Sequence, residues 1–236
     1  MNSDLDLNDK DLDPERLADL ALHNLTVLNE IFSFVSSDSA DEAAAERCCV
    51  ALGRLGASDP EHLSPYWNSL VEFLRSERRT LRRTAAQVIA NLACGDKEGR
   101  FEKILDNYFG LLNDAKADVA VAVARAAGAI VKSRPQLEPL ITSYLLRIPP
   151  IPTSGGFEEM LALHWRGYVN AAAIISLSEY FDAARDKDGI REFIKKHERC
   201  LHRLARIKAL EFKESRERGS VRRWWRHRRR KWRDPD

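Results

Sequence analysis

One hydrophobic spacing, 0, +4, +7, +8, +11, returns in segment after segment of this chain, and each time it stops at a polar or Pro/Gly break. Three segments read Leu63, Trp67, Leu70, Val71, Leu74; Phe101, Leu105, Tyr108, Phe109, Leu112; and Leu137, Ile141, Tyr144, Leu145, Ile148. A second set alternates with them: Ala44, Cys48, Ala51, Leu52, Leu55; Leu81, Ala85, Val88, Ile89, Leu92; and Val119, Val123, Ala126, Ala127, Ile130. Each set is one face of an α-helix. Corresponding positions lie 36 to 38 residues apart. The repeating unit is therefore a helical hairpin that cannot bury its apolar stripe alone and must stack on neighbours. The expected fold is all-α, an α-solenoid of about five hairpins. Such an array offers a long surface rather than a deep pocket, which favours binding over catalysis.

The repeat runs through most of the 236 residues and argues for a single elongated array. No apolar run is long enough to cross a membrane, and the first residues are acidic instead of a basic stretch followed by a hydrophobic one. A cytoplasmic protein is expected. Cys48, Cys49, Cys94 and Cys200 include no Cys-x-x-Cys pair, and three fall on or beside apolar stripes, so they read as buried small hydrophobes in a reducing compartment.

Residues 1–12 carry Asp4, Asp6, Asp9 and Asp11 and are expected to form an acidic, frayed leader. Order should begin at Asp13-Pro14-Glu15, a helix start that recurs as Asp59-Pro60-Glu61: an Asp cap, a Pro at the first helical position, then an acid near the positive helix end. The pattern predicts helices over 14–35, 41–57, 60–75, 78–94, 97–113, 116–133 and 135–148. Pro149 to Gly156 interrupts the array as a loop. Val169, Ala173, Ser176, Leu177 and Tyr180 resume it, and a last helical region from Gly189 to about Lys213 carries Ile190, Phe193, Ile194, Cys200, Leu201 and Leu204 on one side. The array proper is thus 13–212, with a basic tail over 213–236.

These residues resemble a HEAT-repeat protein of the armadillo and HEAT superfamily over roughly 14–211. Pro65 and Pro139 match the proline that bends the first helix of many such units. Leu81-Arg82-Arg83-Thr84-Ala85-Ala86 resembles the opening of the second helix, and Ala51-Leu52-Gly53-Arg54-Leu55 its Ala-Leu-Gly ending. Ala120 stands where the family arginine would fall, and the unit at 101 lacks the proline. Gly53 and Gly128, costly inside helices, predict close helix packing. The resemblance implies fold; the superfamily hosts many unrelated tasks.

Catalytic and metal signatures are weak. His197 and Cys200 share a helical face, but no second half-site completes a zinc set. The resemblance brings in two enzymatic relatives: deoxyhypusine hydroxylases, whose several His-Glu pairs reduce here to His197-Glu198, and alkylpurine DNA glycosylases, for which Trp67 and Trp165-Arg166 are the available residues. Trp67 sits on a stripe and reads as core. No phosphate loop or nucleophile turn is present in the sequence. No enzyme activity, cofactor or metal is expected.

Two basic features remain. Arg75, Arg78, Arg79, Arg82 and Arg83 surround one turn with Glu77 the single acid among them. A positive helix N-terminus tolerates such crowding best when an anion offsets it, so the cluster reads as a partner-docking patch or, alternatively, as solvated surface. The stretch 220–233 holds eight Arg or Lys, no acid and three of the five Trp. Within it Arg222, Arg223, Trp224, Trp225, Arg228, Arg229, Arg230 and Trp232 suit nucleic acid or an anionic surface, or cap the array's end. The reading favoured by sequence is a non-enzymatic scaffold that binds a protein partner. Nucleic-acid binding through the basic edge and tail is the alternative, with a base-repair glycosylase a distant third.

Overall fold

The computed structural model describes residues 5–37, 39–151 and 164–216. Every regular element among them is helical, and they divide into two compact units, residues 1–137 and 138–236. Both units are built of packed helices, the all-α solenoid class expected from sequence.

Unit 1 contains α1 (Pro14–His23), α2 (Leu25–Ser36), α3 (Glu42–Ser58), a 3-10 segment (Pro60–Tyr66) leading into α4 (Trp67–Phe73), α5 (Arg79–Gly95), α6 (Arg100–Gly110) and α7 (Ala117–Ser133). Helices α1, α3, α5 and α7 pack side by side in one row. The second row is α2, the 60–73 segment and α6. Tyr66 stacks on Phe32 at 4.1 Å and donates to Asn29 Oδ1 at 2.6 Å, while Arg100 donates to Ser64 Oγ at 3.0 Å. Five of the six predicted stripes fall in unit 1 and fill the space between its rows, all their residues buried except half-buried Val71 and Ala126; in the sixth, over 137–148, only Tyr144 is half-buried. Ile89 is fully buried and Leu105 nearly so. Each such side chain contributes about 1.5–3 kcal/mol by leaving water.

Local chemistry explains where the predicted boundaries moved. The helix expected over 14–35 breaks at Asn24, whose extended backbone and side chain, accepting from Thr26 N–H, start α2 afresh. Asp13 caps α1 as expected, but Asp59 makes no side-chain cap and opens a 3-10 segment, consistent with Pro65 inside it denying an α-helical hydrogen bond. The first helix of that unit is therefore bent rather than continuous. The leader also differs from expectation: Leu7 and Leu12 are buried, and Arg47 Nη2 donates to the backbone carbonyl of Asp9 at 2.9 Å. Close helix packing falls at Gly56, where a Cβ would meet Val88 at 2.9 Å; at Gly53 the nearest atom is Gln87 Oε1 at 3.5 Å, an ordinary contact.

Unit 2 contains α8 (Glu138–Leu146), α9 (His164–Tyr180), α10 (Lys187–His197) and α11 (203–216). The last helical region expected from sequence is two helices, broken over 198–202, where Glu198 N–H and Cys200 N–H bond the carbonyls of Lys195 and His197. Helices α9 and α11 run in the same direction: His202 packs against Tyr168 near one end, and Arg216 donates to Ser178 O and Asp182 near the other. Residues 213–216, expected in the tail, belong to α11. Glu138, Thr142 and Tyr180 form a buried polar chain, with Thr142 Oγ1 2.8 Å from Glu138 Oε1 and 2.9 Å from Tyr180 Oη. Arg185 N–H donates to the other Glu138 oxygen at 3.2 Å. The loop positions 152–156 and the tail residues Arg222, Arg223, Trp224, Trp225, Arg228, Arg229, Arg230 and Trp232 lie outside the described residues.

Candidate functional site

The arginine turn is brought together as expected, but most of its charge is answered within the chain. Helix α5 begins at Arg79 without a side-chain cap and without an acid in its first turn. Asp114 and Asp118, from the next repeat, supply the missing anions. Arg82 grips Asp114 with Nε at 2.6 Å and Nη2 at 3.0 Å, and its Nη1 donates to the carbonyls of Ser76 and Glu77. Only 14% of the Arg82 side chain and 6% of Asp114 remain accessible. Burial alone would raise the Asp114 carboxyl, but the Arg82 guanidinium and the Lys116 N–H outweigh it and hold the group below the usual carboxylate range. Arg79 and Arg83 approach Asp118 at 3.4 and 3.5 Å, and Arg83 also lies 3.6 Å from Glu46. Arg78 Nη1 donates to Val35 O at 2.8 Å, closing the carboxyl end of α2. Arg75 is exposed and has no ion pair among the described residues.

Arg82 and Arg78 therefore join consecutive repeats. The anion that the sequence argument demanded at this helix start is the neighbouring repeat's own loop. Asp114 lies 32 residues after Arg82, beyond the reach of any local pattern around the turn.

A second buried ion pair holds the loop before α6. Asp96 accepts from Phe101 N–H at 2.8 Å and Arg134 Nη1 at 3.0 Å, and Arg134 also binds Glu102. Burial would raise the Asp96 carboxyl; the Phe101 N–H, Arg134 and the Glu98 N–H overcome it and lower it. Gly99 takes the left-handed conformation that this turn requires, with φ of 69°. Trp67 is only 7% exposed, with the Arg100 guanidinium 5.0 Å above its ring, so it is core and not a base-stacking platform.

One open surface of unit 1 lies along α3, α5 and α7. A groove of about 590 Å³ crosses the three helices. Most of its lining is small: Cys49, Gly53 and Ala57 on α3, Thr84 and Ala90 on α5, Ala122 and Ala126 on α7. Gln87 and Asn91 stand one turn apart on α5, and neither carboxamide has a hydrogen-bond partner among the described residues. Arg54, Arg83 and Arg125 border the groove, with Arg54 paired to Glu15 of α1. Sequence reasoning passed over these residues because they lie off the apolar stripe. Their phase was available: Val50, Gln87 and Arg125 occupy one repeat position, and Arg54, Asn91 and Ala129 another.

No group of three or more His, Cys, Asp or Glu among the described residues could hold a metal ion. His197 is fully buried, its Nδ1 bonded to Phe193 O at 2.8 Å, and Cys200 bonds the His202 carbonyl. Burial pushes the Cys48 thiol up to about 12, and Cys49 and Cys200 are raised for the same reason, so none of the three is a reactive thiolate. No helix among the described residues is long and apolar enough to cross a membrane.

Stacked hairpins at a 36- to 38-residue period, with a groove along one row of helices, define the fold class as an all-α solenoid. Solved structures to which the chain is similar include a computationally designed armadillo repeat protein for modular peptide recognition, 18% identical, with a TM-score of 0.46 over 85% of this chain and 90% of that one. Another is a designed armadillo repeat protein in complex with a (KR)4 peptide, 16% identical, with a TM-score of 0.49 over 88% and 95%. At these values nothing that those proteins bind transfers to this chain. No family model and no curated protein matches it.

Proposed function

We propose that this chain is a non-enzymatic repeat scaffold whose unit 1 holds an extended segment of a protein partner in the groove over α3, α5 and α7. The observation that supports this reading is the pair of carboxamides, Gln87 and Asn91, without hydrogen-bond partners among the described residues, in a groove lined mostly by small side chains. A carboxamide offers one acceptor and two donors, matching the C=O and N–H of a peptide backbone. Small lining residues let that backbone come close. An exposed floor of large apolar side chains would instead suit an amphipathic helix.

The partner patch expected at Arg75, Arg78, Arg79, Arg82 and Arg83 contributes chiefly through Arg83 at the groove's edge, with Arg75 as a free outer cation. The nucleic-acid alternative would use the basic edge together with the tail residues from Arg222 to Trp232, which lie outside the described residues. A location in the cytoplasm stays part of the proposal.

Peptides selected from a random display library on the full chain, with counter-selection on Ala122→Trp, test the reading. Ala122 faces the groove, so the indole fills it without entering the core. Selected peptides should lose at least about tenfold in affinity on Gln87→Ala/Asn91→Ala, roughly one hydrogen bond's worth of binding. Binders that ignore both variants would place recognition elsewhere. Retention of the chain on single-stranded oligonucleotides, falling steeply with salt, would support the nucleic-acid reading instead.

A further inference from the structure

The start of α11 is capped by an imidazole in a way that acid should undo. His202 precedes the helix, and its Nδ1 accepts from Ala205 N–H at 3.5 Å, the third helical residue, as an N-capping side chain does. Its carbonyl accepts the first helical bond, from Arg206 N–H at 3.1 Å. The ring is only 9% exposed and lies directly on Gly167 of α9, where an added Cβ would fall 2.0 Å from the His202 Cγ. Tyr168 meets the ring edge-on at 4.9 Å, and His164 lies 5.1 Å away.

We propose that His202 is an acid-sensitive latch: neutral, its imidazole caps α11 and docks it on α9; protonated, it releases the first turn of α11 from that contact. Three features make the charged form incompatible with the docked geometry. A protonated Nδ1 carries its own hydrogen and cannot accept from Ala205 N–H. The amino end of α11 is a positive site, so a cation there is repelled. The His164 imidazole, 5.1 Å away, further disfavours positive charge on the His202 ring.

The titratable and charged groups around His202 are His164 and Tyr168 on α9, and Cys200 and Arg206 on its own segment; no carboxylate among the described residues pairs with it. Arg206 Nη1 donates to Cys200 O at 3.0 Å, so the arginine braces the same turn and brings more positive charge. Burial first, and His164 second, lower the His202 pKa from 6.5. A histidine with a lowered folded-state pKa stabilises the docked state fully above its unfolded value, and that stability is lost as pH falls below about 6.5. Release would uncover Cys200 and Ala205, which are buried with Ile151 and Ala171 against Leu204.

Amide hydrogen exchange over residues 203–206 of the full chain, corrected for intrinsic rates and measured from pH 7.5 to 5, tests this alongside an NMR titration of His202. In the parent the opening constant of that turn should rise below pH 6.5, by up to about tenfold per pH unit for a single linked proton. His202→Asn keeps a capping side chain that does not titrate, so its turn should show a pH-independent opening. His164→Phe retains an aromatic neighbour without charge and should move the His202 titration upward toward 6.5, flattening the profile. A folded-state His202 that titrates at or above 6.5 would overturn the proposal. So would an unchanged pH profile in His202→Asn, which would assign the effect to His197. If His202→Asn does not fold, the His164→Phe titration decides: no upward shift sinks the latch.

Discussion

Neighbouring helices one repeat apart meet in both units, yet the two seams are built from different materials. Between α3, α5 and α7 the contact is Ala, Val, Ile and Leu packed to the point that Gly56 leaves no room for a methyl against Val88. The polar groups at that seam's edge are paired carboxylates and arginines, such as Arg82 with Asp114. Between α9 and α11 the contact includes His202 on Gly167 and the ring pair Phe181–Phe212 at 5.0 Å, flanked by Arg216 and Arg191 over Phe181. Unit 2 also buries His197, with no partner for Nε2 among the described residues, and Glu138 without a cation beside it. One seam is apolar with ionic clasps that need carboxylates charged. The other depends on imidazoles that must stay neutral.

The largest effect should come from reversing an ionic clasp in unit 1. Arg82→Glu places a second carboxylate against Asp114 in a largely buried site, and breaking such a pair costs about 3–5 kcal/mol. Urea denaturation should show it as a loss in the unit 1 transition. The same reversal at Arg75 should leave that transition in place, because Arg75 is exposed. A charge-reversal series across the whole arginine turn would therefore confound binding with folding. Ile89→Ala follows at about 2–5 kcal/mol through the cavity it leaves among fully packed neighbours.

Glycine substitutions sharpen the contrast next. Gly167→Ala should destabilise unit 2 because the methyl would overlap the His202 ring, whereas Gly53→Ala meets nothing closer than Gln87 Oε1 at 3.5 Å. The second change should raise helix stability by up to about 1 kcal/mol. Opposite signs in the two melts would support the reading of the seams. A loss at Gly53 would mean that close approach in unit 1 extends beyond Gly56.

Acid should separate the units with smaller free-energy changes. His197 and His202 have pKa values lowered chiefly by burial, so unit 2 is fully stabilised above about pH 6.5 and loses that contribution as pH falls from there. Asp96 and Asp114 have lowered carboxyls, so their contribution to unit 1 persists until pH approaches about 4 and is lost below that as they protonate. Exchange measured at pH 5.5 should therefore show unit 2 amides weakened while those of α5 keep their protection. The reverse order would contradict the assignment of the two seams.

The sequence by itself determined the helical hairpin, its 36- to 38-residue period and nearly all of the buried stripe, because a helix repeats every 3.6 residues and apolar side chains must leave water wherever the helix lies. It also marked the start of α1, since Asp13 and Pro14 act on backbone groups only a few residues away. Contacts between distant residues were decided by the tertiary structure. Arg82 meets Asp114 across 32 residues, and the choice between a docking patch and a clasp turns on that meeting. The break at Asn24, the anchored leader, the division at Leu137 and the position of His202 on Gly167 depend likewise on which segments pack together. Local pattern fixes which face of a helix is buried. Only the neighbour that covers it decides whether an arginine binds a partner, closes a seam or lines a groove.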